Sequence, residues 1–252
     1  MTTTIAVAGK GGTGKTTIAA LLIKLLAPKG VVLAIDGDPS TNLHMSLGLP
    51  LNQTVGSVRE EMAEAVKTGR YDSGIPKMDY VGLKISEALV ESERVDLLAM
   101  GRPEGPGCYC AANDMLRFCI DRLAKNYDYV VMDCEAGMEH ISRQTTQDID
   151  ILLIISDPTM KGIITAASMK ELIAELRAHV GRICLIVNRS NDALPPQLAK
   201  AIEQFGLELI AILPEDPQVT ELDATGAPLT ELALDSPLGL GIVEIARKVG
   251  LA

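Results

Sequence analysis

The stretch Gly9-Lys-Gly-Gly-Thr-Gly-Lys-Thr16 decides the fold of this 252-residue chain. It joins an apolar, strand-like segment at residues 5–8 to residues 15–27, whose apolar positions recur at helical spacing. A glycine-rich loop between a strand and a helix lets backbone N–H groups converge on phosphates at the positive end of the helix. The motif therefore predicts a phosphate-binding loop in which Lys15 neutralises β- and γ-phosphate oxygens and the Thr16 hydroxyl ligates Mg²⁺.

The composition sets limits on the partners of the chain. Hydrophobic residues make up 47%, aromatic residues only 3%, and the formal net charge is -10. That charge argues against broad binding to a nucleic-acid backbone. The N-terminus does not resemble a signal peptide, and the longer apolar runs are too short to span a bilayer. We therefore expect a cytoplasmic protein without a nucleic-acid or membrane partner.

Strand-like and helix-like segments alternate along most of the chain. Apolar strands are predicted at residues 5–8, 31–35, 95–100, 129–133, 151–155, 183–187 and 209–213. Helices are predicted at about 15–27, 111–125, 163–180 and 196–205, whereas residues 49–93 are less regular apart from an amphipathic stretch at 58–67. This alternation predicts the α/β class, with a single doubly wound, mostly parallel sheet flanked by helices. We expect one domain over residues 1–252.

Two acidic residues follow predicted strands. Asp38 lies in Asp36-Gly-Asp-Pro39, and Asp133 ends the strand at 129–133. The carboxyl ends of parallel strands border the crevice in which ligands bind to open α/β sheets. Asp133 is therefore expected to hold Mg²⁺ through its water shell, with Ala136 and Gly137 forming a switch that senses the γ-phosphate.

Lys10, directly after the first glycine, gives the loop a second lysine. This pattern resembles the deviant Walker A motif of the family that contains nitrogenase iron protein, the Min and Par ATPases and the arsenite-pump ATPases. The resemblance implies ATP hydrolysis in a homodimer, with Lys10 reaching the partner's nucleotide and Asp38 orienting the attacking water and contributing to the Mg²⁺ site. It also implies that Asn188 contacts adenine and that Leu213-Pro-Glu-Asp-Pro217 wraps the base.

The expected catalytic residues are thus Lys10, Lys15 and Asp38. The residues expected to bind ATP or ADP are Gly9, Gly11, Gly12, Thr13, Gly14, Lys15, Thr16, Thr17, Asn188, Pro214, Glu215 and Asp216.

Cys108 and Cys110 form the most informative cysteine pair among the five cysteines. Thiolates suit Ni²⁺ and Zn²⁺, and two of them supply half of a four-coordinate set. A two-fold dimer would complete that set and couple metal binding to dimerisation. Buried or incidental cysteines are the alternative interpretation. For Cys119 and Cys184, which lie in apolar patterns, core packing is expected.

The Cys-Tyr-Cys unit, the phosphate loop and Asp133-x-x-Ala-Gly-Met-Glu-His140 together resemble the CooC type of ATPase, which supports nickel insertion into carbon monoxide dehydrogenase, and a related activator of acetyl-CoA synthase. The resemblance implies an ATP-dependent metallochaperone with one of these nickel enzymes as its client. Two alternatives stay open: a spatial organiser of the Min or Par kind, and an electron-transfer ATPase whose iron–sulfur cluster would be bridged through Cys110 and Cys134. The choice of client, of Ni²⁺ or Zn²⁺, and the roles of Cys134 and His140 also stay open.

Overall fold

The structure is a computed structural model, which describes residues 2–68, 74, 76–101, 118, 120–134, 148–175 and 179–251. In this part of the chain, seven strands form one sheet in the order β3-β2-β4-β1-β5-β6-β7, and each pairing between them is parallel. The strands are β1 Thr3–Gly9, β2 Val32–Asp36, β3 Val95–Ala99, β4 Tyr129–Asp133, β5 Asp148–Ser156, β6 His179–Val187 and β7 Leu209–Ile212. The predicted doubly wound sheet is confirmed, and its described pairings are all parallel.

Helices cover both faces of this sheet. They are α1 Lys15–Leu26, α2 Leu43–Leu47, α3 Val55–Lys67, α4 Lys77–Ala88, α5 Met160–Glu175, α6 Pro196–Gln204, α7 Pro217–Thr225 and α8 Pro237–Lys248, with a 3₁₀ turn at Leu229–Glu231. Residues 120–124 are also helical and lead into β4. None of the helices among the described residues combines the length and the apolar character needed to cross a membrane.

The core consists of two aliphatic layers, one on each side of the sheet. Successive side chains of a strand point to opposite faces, so Ile5 and Val7 of β1 join the layer under α1 and α8, while Ala6 and Ala8 join the layer under α5. The central strands are buried on both faces, which explains why they appear in the sequence as continuous apolar runs.

The structure corrects two predictions about helices. The helix predicted over 163–180 was too long, because α5 ends at Glu175 and His179 already pairs with Asp148 at the start of β6. The irregular region 49–93 contains α4, whose Val81, Ile85 and Ala88 are buried at helical spacing. Hydropathy alone did not show α4, because glycine and proline breaks precede it and polar residues lie between its apolar positions.

The topology places the phosphate loop at the centre of the sheet. Strand β1 lies between β4 and β5, so the loops that follow β1, β4 and β5 emerge side by side. The loops after β2 and β6 flank them at the same edge. This edge therefore brings together segments that are far apart in sequence, as expected at the carboxyl ends of strands in an open α/β sheet.

Candidate active site

Three glycines give the loop after β1 its shape. Gly9 has a φ of 153°, and a Cβ there would lie 2.2 Å from the Ile155 carbonyl oxygen of the neighbouring strand. Gly12 and Gly14 have φ values of 79° and 91°, in the left-handed region that favours glycine. Gly14 caps α1, and a Cβ there would lie 2.5 Å from Asn188 Nδ2. The glycine spacing of the motif thus reflects both backbone conformation and close approach.

The Lys15 side chain is held within this loop. The residue is 7% exposed, and its Nζ donates to the Lys10 carbonyl oxygen at 3.4 Å. The Thr13 hydroxyl donates to the same carbonyl at 2.9 Å. A buried ammonium group at the N-terminus of a helix, beside a loop of glycines, is an arrangement that can bind phosphate oxygens.

Thr16 and Asp133 form a set of oxygen ligands next to the loop. The Thr16 hydroxyl donates to Asp133 Oδ2 at 2.5 Å, and the other carboxylate oxygen, Oδ1, is buried without a hydrogen-bond partner among the described residues. Burial raises the pKa of Asp133 to about 7, and the Thr16 hydrogen bond opposes this shift. A hydroxyl and an unsatisfied carboxylate oxygen fit Mg²⁺, which prefers oxygen ligands.

Asp36 organises the segment that carries Asp38. It is fully buried, its Oδ1 accepts from the Asp38 amide at 3.0 Å, and its Oδ2 accepts from the Leu43 amide at 2.9 Å. Burial raises the pKa of Asp36 to about 6. Asp38 itself is half-buried at the rim, where its Oδ1 accepts from the Ser40 amide. Asp38 was among the predicted site residues and Asp36 was not, although Asp36 ends an apolar run in the same way as Asp133.

Lys10 contacts an acidic residue of its own chain. Its Nζ lies 3.8 Å from Asp157 Oδ2, and its side chain is 42% exposed. Asp157 follows β5, and its Oδ1 accepts from the Thr159 hydroxyl at 2.6 Å. Asp157 was not among the predicted site residues. The available signal was an acidic residue after a predicted apolar strand, the same signal that indicated Asp133.

The loop after β6 closes the other side of the phosphate loop. Asn188 is buried and its Nδ2 donates to the Thr13 carbonyl oxygen at 2.8 Å, while Arg189 Nη1 donates to the Gly12 carbonyl oxygen at 3.0 Å. Both residues border a cavity of about 640 Å³. The expected binding residues Gly14, Thr17, Pro214, Glu215 and Asp216 also line this cavity.

Asp216 has a structural role within that lining. Its Oδ1 accepts from the Gln218 amide at the N-terminus of α7, and its Oδ2 accepts from the Leu238 amide of α8 at 3.2 Å. The carboxylate therefore caps one helix and joins it to another. Glu215 is exposed, and its amide donates to Asn191 Oδ1 at 3.0 Å.

Several expected residues lie outside the part of the chain that the structure describes. They are Cys108, Cys110, Cys119, Ala136, Gly137, Glu139 and His140. Within the described part, no group of three or more His, Cys, Asp or Glu side chains could hold a metal ion. Cys184 is a buried core residue, as expected, and burial raises the pKa of the Cys134 thiol to about 12.

Comparisons with known proteins agree with this geometry. The family model of the CobQ/CobB/MinD/ParA nucleotide binding domain matches residues 4–229. An uncharacterized ATP-binding protein of Methanocaldococcus jannaschii is 42% identical over 246 residues, which cover 97% of each chain. The carbon monoxide dehydrogenase accessory protein CooC of Rhodospirillum rubrum is 30% identical over 243 residues, which cover 91% of this chain and 90% of that protein.

A solved structure shows the same fold. The septum site-determining protein MinD of Pyrococcus horikoshii OT3, complexed with Mg-ADP, superposes with a TM-score of 0.69 over 99% of this chain and 96% of that one, at 24% sequence identity. The chain therefore belongs to the CobQ/CobB/MinD/ParA nucleotide binding domain family, and it is a nucleotide-binding ATPase of the MinD/ParA class.

Proposed function

We propose that this ATPase is a metallochaperone that binds Ni²⁺ or Zn²⁺ through Cys108 and Cys110 of two protomers and supports nickel insertion into carbon monoxide dehydrogenase or acetyl-CoA synthase. The observation that carries this proposal is the 30% identity over 91% of the chain to an accessory protein of carbon monoxide dehydrogenase. The Cys-Tyr-Cys unit supports it, because soft thiolates suit these metals.

The nucleotide half of the proposal follows from the loop geometry. The loop amides and Lys15 would bind the ATP phosphates, and Thr16 and Asp133 would hold Mg²⁺. Bound Mg²⁺ neutralises charge that develops on the phosphate oxygens. Asp38, on the segment that Asp36 fixes, orients the attacking water and contributes to the Mg²⁺ site through water. These groups come from three segments, which lie at or after the ends of β1, β2 and β4 at one edge of the sheet.

Lys10 gives the proposed dimer its role in hydrolysis. It exchanges its contact with Asp157 for the nucleotide of the partner subunit, much as an arginine finger acts in trans. Breaking the Lys10–Asp157 contact costs little, because an exposed ion pair at 3.8 Å contributes less than about 1 kcal/mol to stability.

Asn188 supports adenine as the base. Because Nδ2 donates to the Thr13 carbonyl oxygen, Oδ1 is available to accept a hydrogen bond from the exocyclic amino group of adenine. Pro214, Glu215 and Asp216 line the same cavity and supply backbone groups around the base.

Metal binding tests the proposal directly. Equilibrium dialysis with Ni²⁺ and with Zn²⁺ under anaerobic conditions should show one ion per dimer for the wild type. We expect Cys108→Ser and Cys110→Ser each to lose that ion, whereas Cys184→Ala, which removes a thiol buried in the core, should retain it. Binding that survives both serine substitutions would contradict the site.

Sizing under the same conditions tests the shared geometry. Size-exclusion chromatography should be run with ATP, with ADP or with neither, and in each case with or without Ni²⁺. In the runs that contain Ni²⁺, the metal should elute with the dimer. A monomer in every condition would contradict a site shared by two protomers.

The second candidate is a spatial organiser of the MinD or ParA kind, which the family model favours. The C-terminal helix α8 opposes a lipid-anchoring version of it. Leu238, Ile242 and Ile245 of α8 are buried in the core, and Arg247 and Lys248 are its basic residues. A lipid-binding helix needs a free apolar face and a richer cationic face. ATP-dependent co-sedimentation with anionic liposomes or DNA would favour this candidate over the metallochaperone.

A further inference from the structure

Two consecutive residues at the end of β6 hold two consecutive carbonyls of the phosphate loop. Asn188 Nδ2 donates to the Thr13 carbonyl oxygen at 2.8 Å, and Arg189 Nη1 donates to the Gly12 carbonyl oxygen at 3.0 Å. The family resemblance assigns a role to Asn188, but neither the motif nor the resemblance assigns one to Arg189.

These contacts determine where the loop amides point. In a trans peptide the C=O of one residue and the N–H of the next point in opposite directions. A donor on the Gly12 carbonyl therefore turns the Thr13 N–H away from β6, and this amide donates to the Lys10 carbonyl oxygen at 3.4 Å. A donor on the Thr13 carbonyl does the same for the Gly14 N–H. Carbonyls held outwards and amides turned inwards are what an anion-binding loop requires.

The backbone of Arg189 is strained in a way that fits this role. Its φ is 61°, a left-handed conformation that is uncommon for a residue with a long side chain. Hydrogen bonds on both sides hold it there, from the Asn188 amide to the Ser156 carbonyl and from the Ser190 amide to the Leu213 carbonyl. A strained residue that neighbouring contacts keep in place is a candidate functional residue.

We propose that Arg189 is a positioning residue of the ATPase, which keeps the Gly12–Thr13 peptide oriented so that the loop amides face the phosphates. Arg189 borders the base cavity, but its contact is with the loop. Its contribution therefore extends to any ligand that carries the phosphate chain, with or without a base.

Binding of tripolyphosphate tests this assignment, because it has the phosphate chain of ATP and no base. Affinities for magnesium tripolyphosphate and for MgATP should be measured by calorimetry, without nickel, for the wild type and Arg189→Ala. We expect both ligands to bind about three- to tenfold more weakly to the variant, by similar factors. Arg182→Ala is the matched control: Arg182 lies on β6, the strand that precedes Arg189, and donates to the Lys248 carbonyl, far in sequence from the loop.

Salt separates positioning from simple attraction between charges. At about 1 M KCl the screening length is about 3 Å, so attraction by an exposed cation is largely lost. The loss of affinity in Arg189→Ala should persist at this salt concentration. Arg189→Gln, which keeps a neutral hydrogen-bond donor, should recover part of the affinity. If Arg189→Ala lost affinity for MgATP alone, Arg189 would be a contact to the base. If the loss of affinity disappeared at high salt, Arg189 would act only by long-range attraction of the charged ligand. Either result, or no deficit, would overturn the assignment.

Discussion

Replacing Gly14 by alanine is expected to destabilise the chain through two separate costs. The φ of 91° is left-handed, which costs an L-residue about 1–2 kcal/mol. The new Cβ would lie 2.5 Å from Asn188 Nδ2, so that the amide must leave the Thr13 carbonyl, and losing a buried hydrogen bond costs about 1–3 kcal/mol. The free energy of unfolding should therefore fall by about 2–5 kcal/mol.

Gly226→Ala is the matched control for backbone strain. Gly226 caps the C-terminus of α7 with a φ of 70°, and nothing lies within 4 Å of the Cβ position. It should lose only about 1–2 kcal/mol. Urea unfolding without nucleotide, followed by circular dichroism, gives both values.

A double-mutant cycle isolates the steric part of the Gly14→Ala effect. Asn188→Ala removes the amide that the new methyl group would meet, so the double variant should lose about 1–3 kcal/mol less than the sum of the single variants. Because independent sites add to within about 0.5 kcal/mol, additivity at that level would show that the contact between Gly14 and Asn188 does not exist as described.

Three further predictions concern the candidate Mg²⁺ site and the cavity beside the phosphate loop. Because the pKa of Asp133 is raised from 3.8 to about 7, the folded state holds its proton more tightly, and stability should fall as pH rises through this interval. Urea midpoints at about pH 5.5 and pH 8, without Mg²⁺, should differ less for Asp133→Asn than for the wild type; an equal difference would contradict the shift. Thr16→Val should weaken MgATP binding at least about tenfold and leave binding in EDTA less affected, with half-buried Thr165→Val as the unaffected control, as calorimetry would show. Asp216→Ala should lower the free energy of unfolding by about 2–4 kcal/mol because two backbone amides lose their acceptor, and a loss below about 0.5 kcal/mol in urea unfolding would refute that role.

The sequence predicted the bounds of some strands well and those of others less well. Strand β4 has the predicted bounds, Tyr129–Asp133, because a strand buried on both faces consists almost entirely of apolar residues. Strands β5 and β6 begin earlier than predicted, at Asp148 and His179. Polar residues at these ends pair through backbone hydrogen bonds, to which hydropathy is insensitive.

Helix α4 shows a related limit. The spacing of Val81, Ile85 and Ala88 is helical, but polar residues lie between these positions and the segment follows glycine and proline breaks. Its stability comes from packing on the sheet and on α3, as is usual for helices of this length.

The phosphate loop is the part of the site that the sequence determined by itself. Gly12 and Gly14 adopt left-handed backbone conformations, Lys15 and Thr16 follow at the start of α1, and such short-range requirements leave a fixed spacing in the chain. The order of strands and helices likewise followed from local hydrophobic periodicity.

Only the tertiary structure decided which distant side chains complete the site. Asp157 and Arg189 had no motif of their own, since each acts through a partner that is close in space only because parallel strands end at one edge of the sheet. Arg189 and Gly12 are separated by 177 residues, and their hydrogen bond exists because the sheet places β6 on one side of the loop. Local chemistry therefore specified the phosphate cradle, and the sheet topology specified what holds it in shape.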